Sequence, residues 1–218
     1  MPSACAECGE PLETPLVCAA CGSLFEAPEA GPFELLGLPP AFDVDTEELR
    51  KRLLRFSRLV HPDFFGSASP AVRALAEHNT AELNSAHEVL ADDFRRAVRV
   101  LADLGGPDEK AERQMPQVFL MEVLEWNEAL EDARAAEPGA PPRVALDALR
   151  HELGERRTQL MRDVGALLRE LLAAPDQGAS AARLARLTDV RRLLNAVRYV
   201  DRTLSEMEAL RLEQASSR

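Results

Sequence analysis

Aromatic residues are scarce in this 218-residue chain: one tryptophan, one tyrosine and eight phenylalanines make up 5% of it. Runs of strong helix formers such as Ala182-Arg183-Leu184-Ala185-Arg186-Leu187 stand in their place, and an all-α body is the expectation. No apolar run reaches the roughly eighteen residues of a membrane-spanning helix. The opening Met1-Pro2-Ser3-Ala4-Cys5 has neither the basic nor the apolar region of a signal peptide, so the expected location is the cytoplasm. Cations are outnumbered, 26 Lys and Arg against 37 Asp and Glu, for a net charge of -11. That balance argues against nucleic acid, whose binding relies on clustered Lys and Arg. Cysteine is absent after position 21, and no 20–50-residue repeat occurs. What the chain does have is 46% hydrophobic residues, enough to exclude a disordered protein and to build a core.

Three segments are expected. Residues 1–28 hold all four cysteines and almost no helical periodicity, and read as a small separate module. Ala27-Pro28-Glu29-Ala30-Gly31-Pro32 breaks regular structure, because proline restricts both itself and the residue before it. Residues 32–106 read as four helices, at 32–38, 46–59, 69–91 and 93–104. Asp45 or Thr46 caps the second, Ser69-Pro70 opens the third and Gly105-Gly106-Pro107 stops the fourth. Residues 116–214 read as three longer helices, 116–136, 142–173 and 180–213, divided by Glu137-Pro138-Gly139-Ala140-Pro141-Pro142 and by Pro175-Asp176-Gln177-Gly178. Stripes such as Leu149, Leu153, Leu160, Val164, Leu167 and Leu171, and Val190, Leu194, Val197, Leu204 and Met207, lead to a three-helix bundle.

Cys5-Ala6-Glu7-Cys8-Gly9 and Cys18-Ala19-Ala20-Cys21-Gly22 form two C-x-x-C-G knuckles. Two thiolates held two residues apart grip one side of a tetrahedral ion, and the glycine lets the backbone curl so that an amide faces sulfur. Two knuckles complete a four-sulfur site with no open position, so Cys5, Cys8, Cys18 and Cys21 are the expected ligands of a structural metal. Zinc suits them, and iron or a cluster also takes four thiolates. The competing readings are disulfides, disfavoured in a reducing cytoplasm, and a redox C-x-x-C centre, disfavoured by the second pair and the absence of a βαβ context.

The second helix concentrates Arg50, Lys51, Arg52, Arg55 and Arg58 in an otherwise acidic chain. Lys51, Arg55 and Arg58 share one helical face, suited to an acidic partner, while Leu49, Leu53, Phe56 and Val60 line the other. Leu59-Val60-His61-Pro62-Asp63-Phe64-Phe65-Gly66 follows. Proline ends the helix there, and Asp63 projects a carboxylate fit to take a partner's arginine from a rigid turn. No nucleophile stands beside His61 or Asp63 and no phosphate-binding glycine loop is present, so neither bond-breaking chemistry nor ATP binding is expected of this chain.

In the first bundle helix Phe119, Val123, Trp126 and Leu130 fall in one arc, the core stripe. Leu120, Met121 and Leu124 point elsewhere, beside Glu125, Glu128 and Asp132. A wide buried face and an exposed binding strip both satisfy that pattern.

Phe33-Glu34-Leu35-Leu36-Gly37-Leu38 ahead of a basic helix, His61-Pro62-Asp63 closing it, and Leu83-Asn84-Ser85-Ala86 one long helix later resemble the J-domain family. The aromatic pair Phe64-Phe65, Phe119-Leu120-Met121-Glu122-Val123-Leu124-Glu125 and Val197-Arg198-Tyr199 narrow this: residues 33–210 resemble the HscB family of iron-sulfur cluster co-chaperones, and the cysteine module is like that of its eukaryotic members. The resemblance implies an antiparallel helical hairpin whose loop stimulates the ATPase of an HscA or DnaK-class chaperone, with Arg52, Arg55, Arg58, His61, Pro62 and Asp63 as the contact surface. It also implies that Leu120, Met121, Leu124, Glu125, Glu128 and Tyr199 hold an IscU-type scaffold protein, delivered by this chain to the chaperone. Two departures stand out. His87 replaces the family's usual aromatic residue, read as a packing substitution, and the 138–142 linker is unusually rich in proline. Two rival functions remain open: a general J-protein for unfolded clients, and a metal or redox protein centred on the cysteines. Self-association through the cysteine module is open as well.

Overall fold

Proline and capping side chains fix where the helices begin. In the computed structural model, which describes residues 4–137, 139–174 and 180–216, Pro32 opens a short α1 (Pro32–Leu35). Asp45 caps α2 (Thr46–Val60) by accepting the amides of Glu47 and Glu48 at 2.8 and 3.3 Å. Ser69 does the same for α3 (Pro70–Ala91), whose first residue is a proline that has no amide to lose. The remaining helices are α4 (Asp93–Asp103), α5 (Gln117–Ala135), α6 (Pro141–Ala173) and α7 (Ala181–Ser216). The described residues contain no β-strand, only isolated bridges within the first 24 residues. None of the described helices is long and apolar enough to cross a membrane.

Two expectations shift at the helix ends. The first helix is shorter than 32–38 because the chain turns at Gly37, where φ is +64°. The proline-rich linker does not stay irregular to its end: Pro141 and Pro142 form the first turn of α6, where fixed φ angles suit a helix start. The turn expected at 175–178 lies outside the described residues.

The fold is all-α and divides into two compact units, residues 1–99 and 100–218. In the first, α2 and α3 pack as an antiparallel hairpin with α1 laid on α3. Leu49, Phe56 and Val60 of α2 meet Ala76, Leu83, Ala86 and Leu90 of α3 in a dry core. Arg96 of α4 is buried there, satisfied by donating to the carbonyls of Phe42 and Leu90 and by standing over the Phe42 ring. His87 is half-buried on α3.

The cysteine segment belongs to this same unit. Its Thr14 hydroxyl donates to the Leu35 carbonyl at 2.8 Å, and the Asn79 amide of α3, fully buried, donates to the carbonyls of Leu16 and Phe25 at 3.2 and 3.1 Å. Backbone acceptors with no ladder to enter are thereby satisfied by side chains.

The second unit is a three-helix bundle of α5, α6 and α7. Phe119, Trp126, Leu130 and Ala133 of α5 face Leu153, Leu160, Val164 and Leu168 of α6 and Val190, Leu194 and Val197 of α7. Ion pairs stitch the seams: Arg156 forks onto Glu122 with both bonds at 2.8 Å, Arg157 meets Asp201 at 2.7 Å and Arg134 meets Glu206 at 2.8 Å. Ahead of α5, residues 112–114 are strapped to α7 by the Asn195 amide, which donates to the carbonyls of Glu112 and Gln114 at 3.0 and 2.8 Å.

The Asn79 contact gives a direct stability test. Asn79→Ala removes a donor from the Phe25 carbonyl and one of the two donors of the Leu16 carbonyl, which keeps the Phe25 amide at 2.9 Å, and the expected loss is about 1 kcal/mol in denaturant unfolding of the full chain. An unchanged unfolding midpoint would show that water reaches those carbonyls.

Candidate functional site

The two cysteine knuckles are built alike. In the first, the Gly9 amide donates to the Cys5 carbonyl at 2.9 Å and the Cys5 amide to the Glu10 carbonyl at 2.7 Å. In the second, the Gly22 amide donates to Cys18 at 2.9 Å and the Cys18 amide to Ser23 at 3.0 Å. Gly9 and Gly22 hold φ near +79° and +77°, the curl that a side chain would resist. The knuckles bring all four Sγ atoms within 4.8 Å of one another, with Cys5–Cys21 at 3.7 Å and Cys8–Cys18 at 3.6 Å. A tetrahedron with metal–sulfur arms of about 2.3 Å has edges of about 3.8 Å, so the donor set fits one tetrahedral ion. Cys5 and Cys18 are buried and Cys8 and Cys21 exposed, so the cluster sits at the surface with its inner half covered.

The electrostatics of the bare thiols point the same way. The Ser23 hydroxyl and amide pull Cys21 down to about 6. The Glu10 amide favours the Cys8 thiolate, but desolvation and the neighbouring cysteines outweigh it and push that thiol up to about 12. Four sulfurs this close do not all ionise unaided, and a cation among them removes that conflict. A bound metal would supply a cross-link between the knuckles, held by Cys5, Cys8, Cys18 and Cys21.

The second constellation is the turn after α2. His61 leaves the helix with ψ 128°, and Pro62–Phe65 form a single 3-10 turn. The Asp63 amide donates to His61 Nδ1 at 3.2 Å, and the Asp63 carboxylate lies 3.5 Å from the same nitrogen. The Asp63 carboxylate is 88% exposed. Next to it Phe64, 73% exposed, stands edge-on to the His61 ring at 6.3 Å, an apolar side chain left outside the core.

The cations of α2 part company. Arg58 and Arg50 are exposed with no carboxylate partner among the described residues, and Lys51 pairs with Glu47 at 2.9 Å. Arg55 is exposed and pairs with Glu13 of the cysteine segment. Arg52, grouped by the sequence with the docking surface, is half-buried and turns inward: its guanidinium donates to Gly37 O at 2.6 Å and to Glu48 at 2.7 Å. Arg50, which sequence reasoning left out of its site, faces solvent instead.

The third feature lies on α5. Leu120, Met121 and Leu124 are 48%, 67% and 56% exposed, while Phe119, Trp126 and Leu130 of the same helix are buried. Of the two arrangements open at the sequence level, this helix has the exposed strip. Glu125 and Glu128 are exposed beside it. Tyr199 of α7 adjoins the strip half-buried, its hydroxyl donating to Asn127 Oδ1 at 2.8 Å and its ring edge-on to Phe119.

Comparison with known proteins gives three findings. Residues 115–208 match a family model described as the HSCB C-terminal oligomerisation domain. A co-chaperone protein HscB homolog of Shewanella baltica is 36% identical over 164 residues, covering 72% of this chain and 92% of that protein. Its Shewanella amazonensis counterpart is 37% identical over 162 residues, 71% and 91% of the two chains. Among solved structures, the chaperone HscB from Vibrio cholerae superposes with a TM-score of 0.63 at 26% identity, covering 84% of this chain and 99% of that one. The human co-chaperone protein HscB superposes with a TM-score of 0.69 over 94% and 97%, a likeness of fold at 23% identity.

For the cysteine cluster, purified protein is expected to carry one metal ion per chain by elemental analysis. Stripping it with a strong chelator should expose all four thiols to a thiol reagent and lower the thermal midpoint of the first unit. Four thiols equally reactive before and after chelation would rule out a metal held by this set.

Proposed function

Because the chain belongs to the HscB family of co-chaperones, we propose that it stimulates the ATPase of an HscA or DnaK-class chaperone and brings to it an IscU-type iron-sulfur scaffold protein. The observation that carries this is the coexistence of two exposed features on one chain. One is a basic helix ending in the His61-Pro62-Asp63 turn; the other is a strip of Leu120, Met121 and Leu124 that the bundle does not cover.

In this scheme the chemistry of hydrolysis belongs to the chaperone, and this chain supplies contacts. Arg55 and Arg58 meet an acidic surface on the partner. Pro62 ends α2 and sets the turn, His61 receives the Asp63 amide and so fixes its direction, and the Asp63 carboxylate takes an arginine of the partner. Arg52 acts from behind this surface, holding the α1–α2 junction through Gly37.

On the bundle, Leu120, Met121 and Leu124 fill an apolar recess of the scaffold while Glu125 and Glu128 meet cations around it. Tyr199 closes one edge, its ring orientation set by Phe119 and Asn127. Three neighbouring apolar side chains left in water at this density are more than the scatter of single exposed leucines on an ordinary surface. The matched family model is described as an oligomerisation domain; here the occupant of the strip is the scaffold rather than a second copy, a distinction that sedimentation of the chain alone would test. The cysteine cluster takes zinc in a structural role, in keeping with four thiolates and no open position.

Chaperone ATPase assays test both halves. His61→Gln should reduce stimulation to the basal rate with the fold intact by circular dichroism; full stimulation by that variant would sink the docking assignment. Leu124→Ala and Met121→Ala should each weaken scaffold binding about tenfold or more, as truncation of a central interface side chain does, while leaving stimulation in the absence of scaffold unchanged. Unaltered scaffold affinity would make the strip an ordinary surface.

A further inference from the structure

The cations on the exposed side of α2 are mostly left to solvent or to a neighbour one turn away. Arg55 is the exception, because its carboxylate partner, Glu13, comes from forty-two positions earlier in the chain. Both side chains are about half exposed, and an exposed pair of flexible residues is commonly worth little because two side chains must be frozen to make it. Here the backbone carrying Glu13 is already fixed. Thr14 is buried and bonded to Leu35 at the end of α1, and the Glu13 carbonyl lies so close to Gly37 that no Cβ fits between them. Leu16 and Phe25 are held by Asn79 of α3. Only the Glu13 and Arg55 side chains themselves remain to be ordered.

From this arrangement we propose that Glu13 is an internal competitor for the chaperone, a carboxylate of this chain that occupies Arg55 in place of the acidic group the partner would present. This rests on the reading of α2 as the docking face and deepens it. A partner that uses Arg55 must first displace Glu13, so affinity is set below what the cations of α2 allow on their own. The segment between the knuckles thereby acts on docking without touching the chaperone. The partner surface this fits offers a carboxylate opposite Arg55 and a second acidic contact for Arg58, which has no carboxylate partner among the described residues.

The test uses the full chain and a purified DnaK-class chaperone, titrated by ATPase stimulation and by calorimetry at low and at moderate salt. Glu13→Gln should tighten docking about two- to fivefold at low salt, the range that an exposed ion pair commands. The gain should shrink as salt rises, with metal content and far-UV spectrum unchanged. Arg55→Gln should weaken docking, and in that background Glu13→Gln should have no further effect. Affinity of Glu13→Gln equal to or weaker than wild type, a gain that survives Arg55→Gln, or a gain accompanied by loss of metal would each overturn the proposal. Wild type and His61→Gln serve as controls for the underlying assignment. If wild type fails to stimulate, or His61→Gln stimulates equally, the docking face itself is wrong and this inference falls with it. If those controls behave and Glu13→Gln changes nothing, this inference alone is wrong.

Discussion

The cysteine segment closes its knuckles with its own backbone hydrogen bonds, and the buried amide of Asn79 ties that segment to the helices. It donates to Leu16 and Phe25 from the middle of α3, so one side chain ties both flanks of the second knuckle to the helical hairpin. Around this anchor the rest of the first unit falls into place. Thr14 reaches the end of α1, the Glu13 carbonyl closes over Gly37, and Arg52 fills the space behind the same turn. The metal site and the basic helix are therefore parts of one packed body rather than a tag beside a domain. Buried polar contacts of this kind specify a single arrangement, because any slip leaves acceptors unpaired in a dry environment.

Local chemistry made most of the helices readable. Prolines at helix starts, caps at Asp45 and Ser69 and apolar stripes act within a few residues of the feature they define, and the α2, α3 and α5 limits fall close to where those signals put them. The C-x-x-C-G spacing was equally legible, since geometry over five residues decides it. What the sequence hid acts at long range. Asn79 lies 63 positions from Leu16, and Glu13 lies 42 from Arg55. Neither pairing has a periodicity to betray it. Arg52 shows the same limit from the other side: on a helical wheel it is one more cation of a basic helix, and only the position of Gly37 turns it inward. A buried Asn on an otherwise apolar helix face was the one available signal for Asn79, for such a side chain needs a partner off its own helix.

The bundle unit divides its acids by position. Glu122, Asp201 and Glu206 lie at helix seams, each held by an arginine of another helix, and Arg202 with Arg134 keeps the Glu206 carboxyl below the usual carboxylate range. Glu125, Glu128 and Asp132 on the outer side of α5 have no such partner among the described residues. If these acids served only solubility, there would be no reason for them to border the one helix that leaves Leu120, Met121 and Leu124 in water. Arginine is placed against a carboxylate at each pair of helices in this bundle. Unpaired carboxylates beside an uncovered apolar strip form an apolar centre with a charged rim, the pattern on which the proposed docking of a basic-rimmed scaffold protein rests.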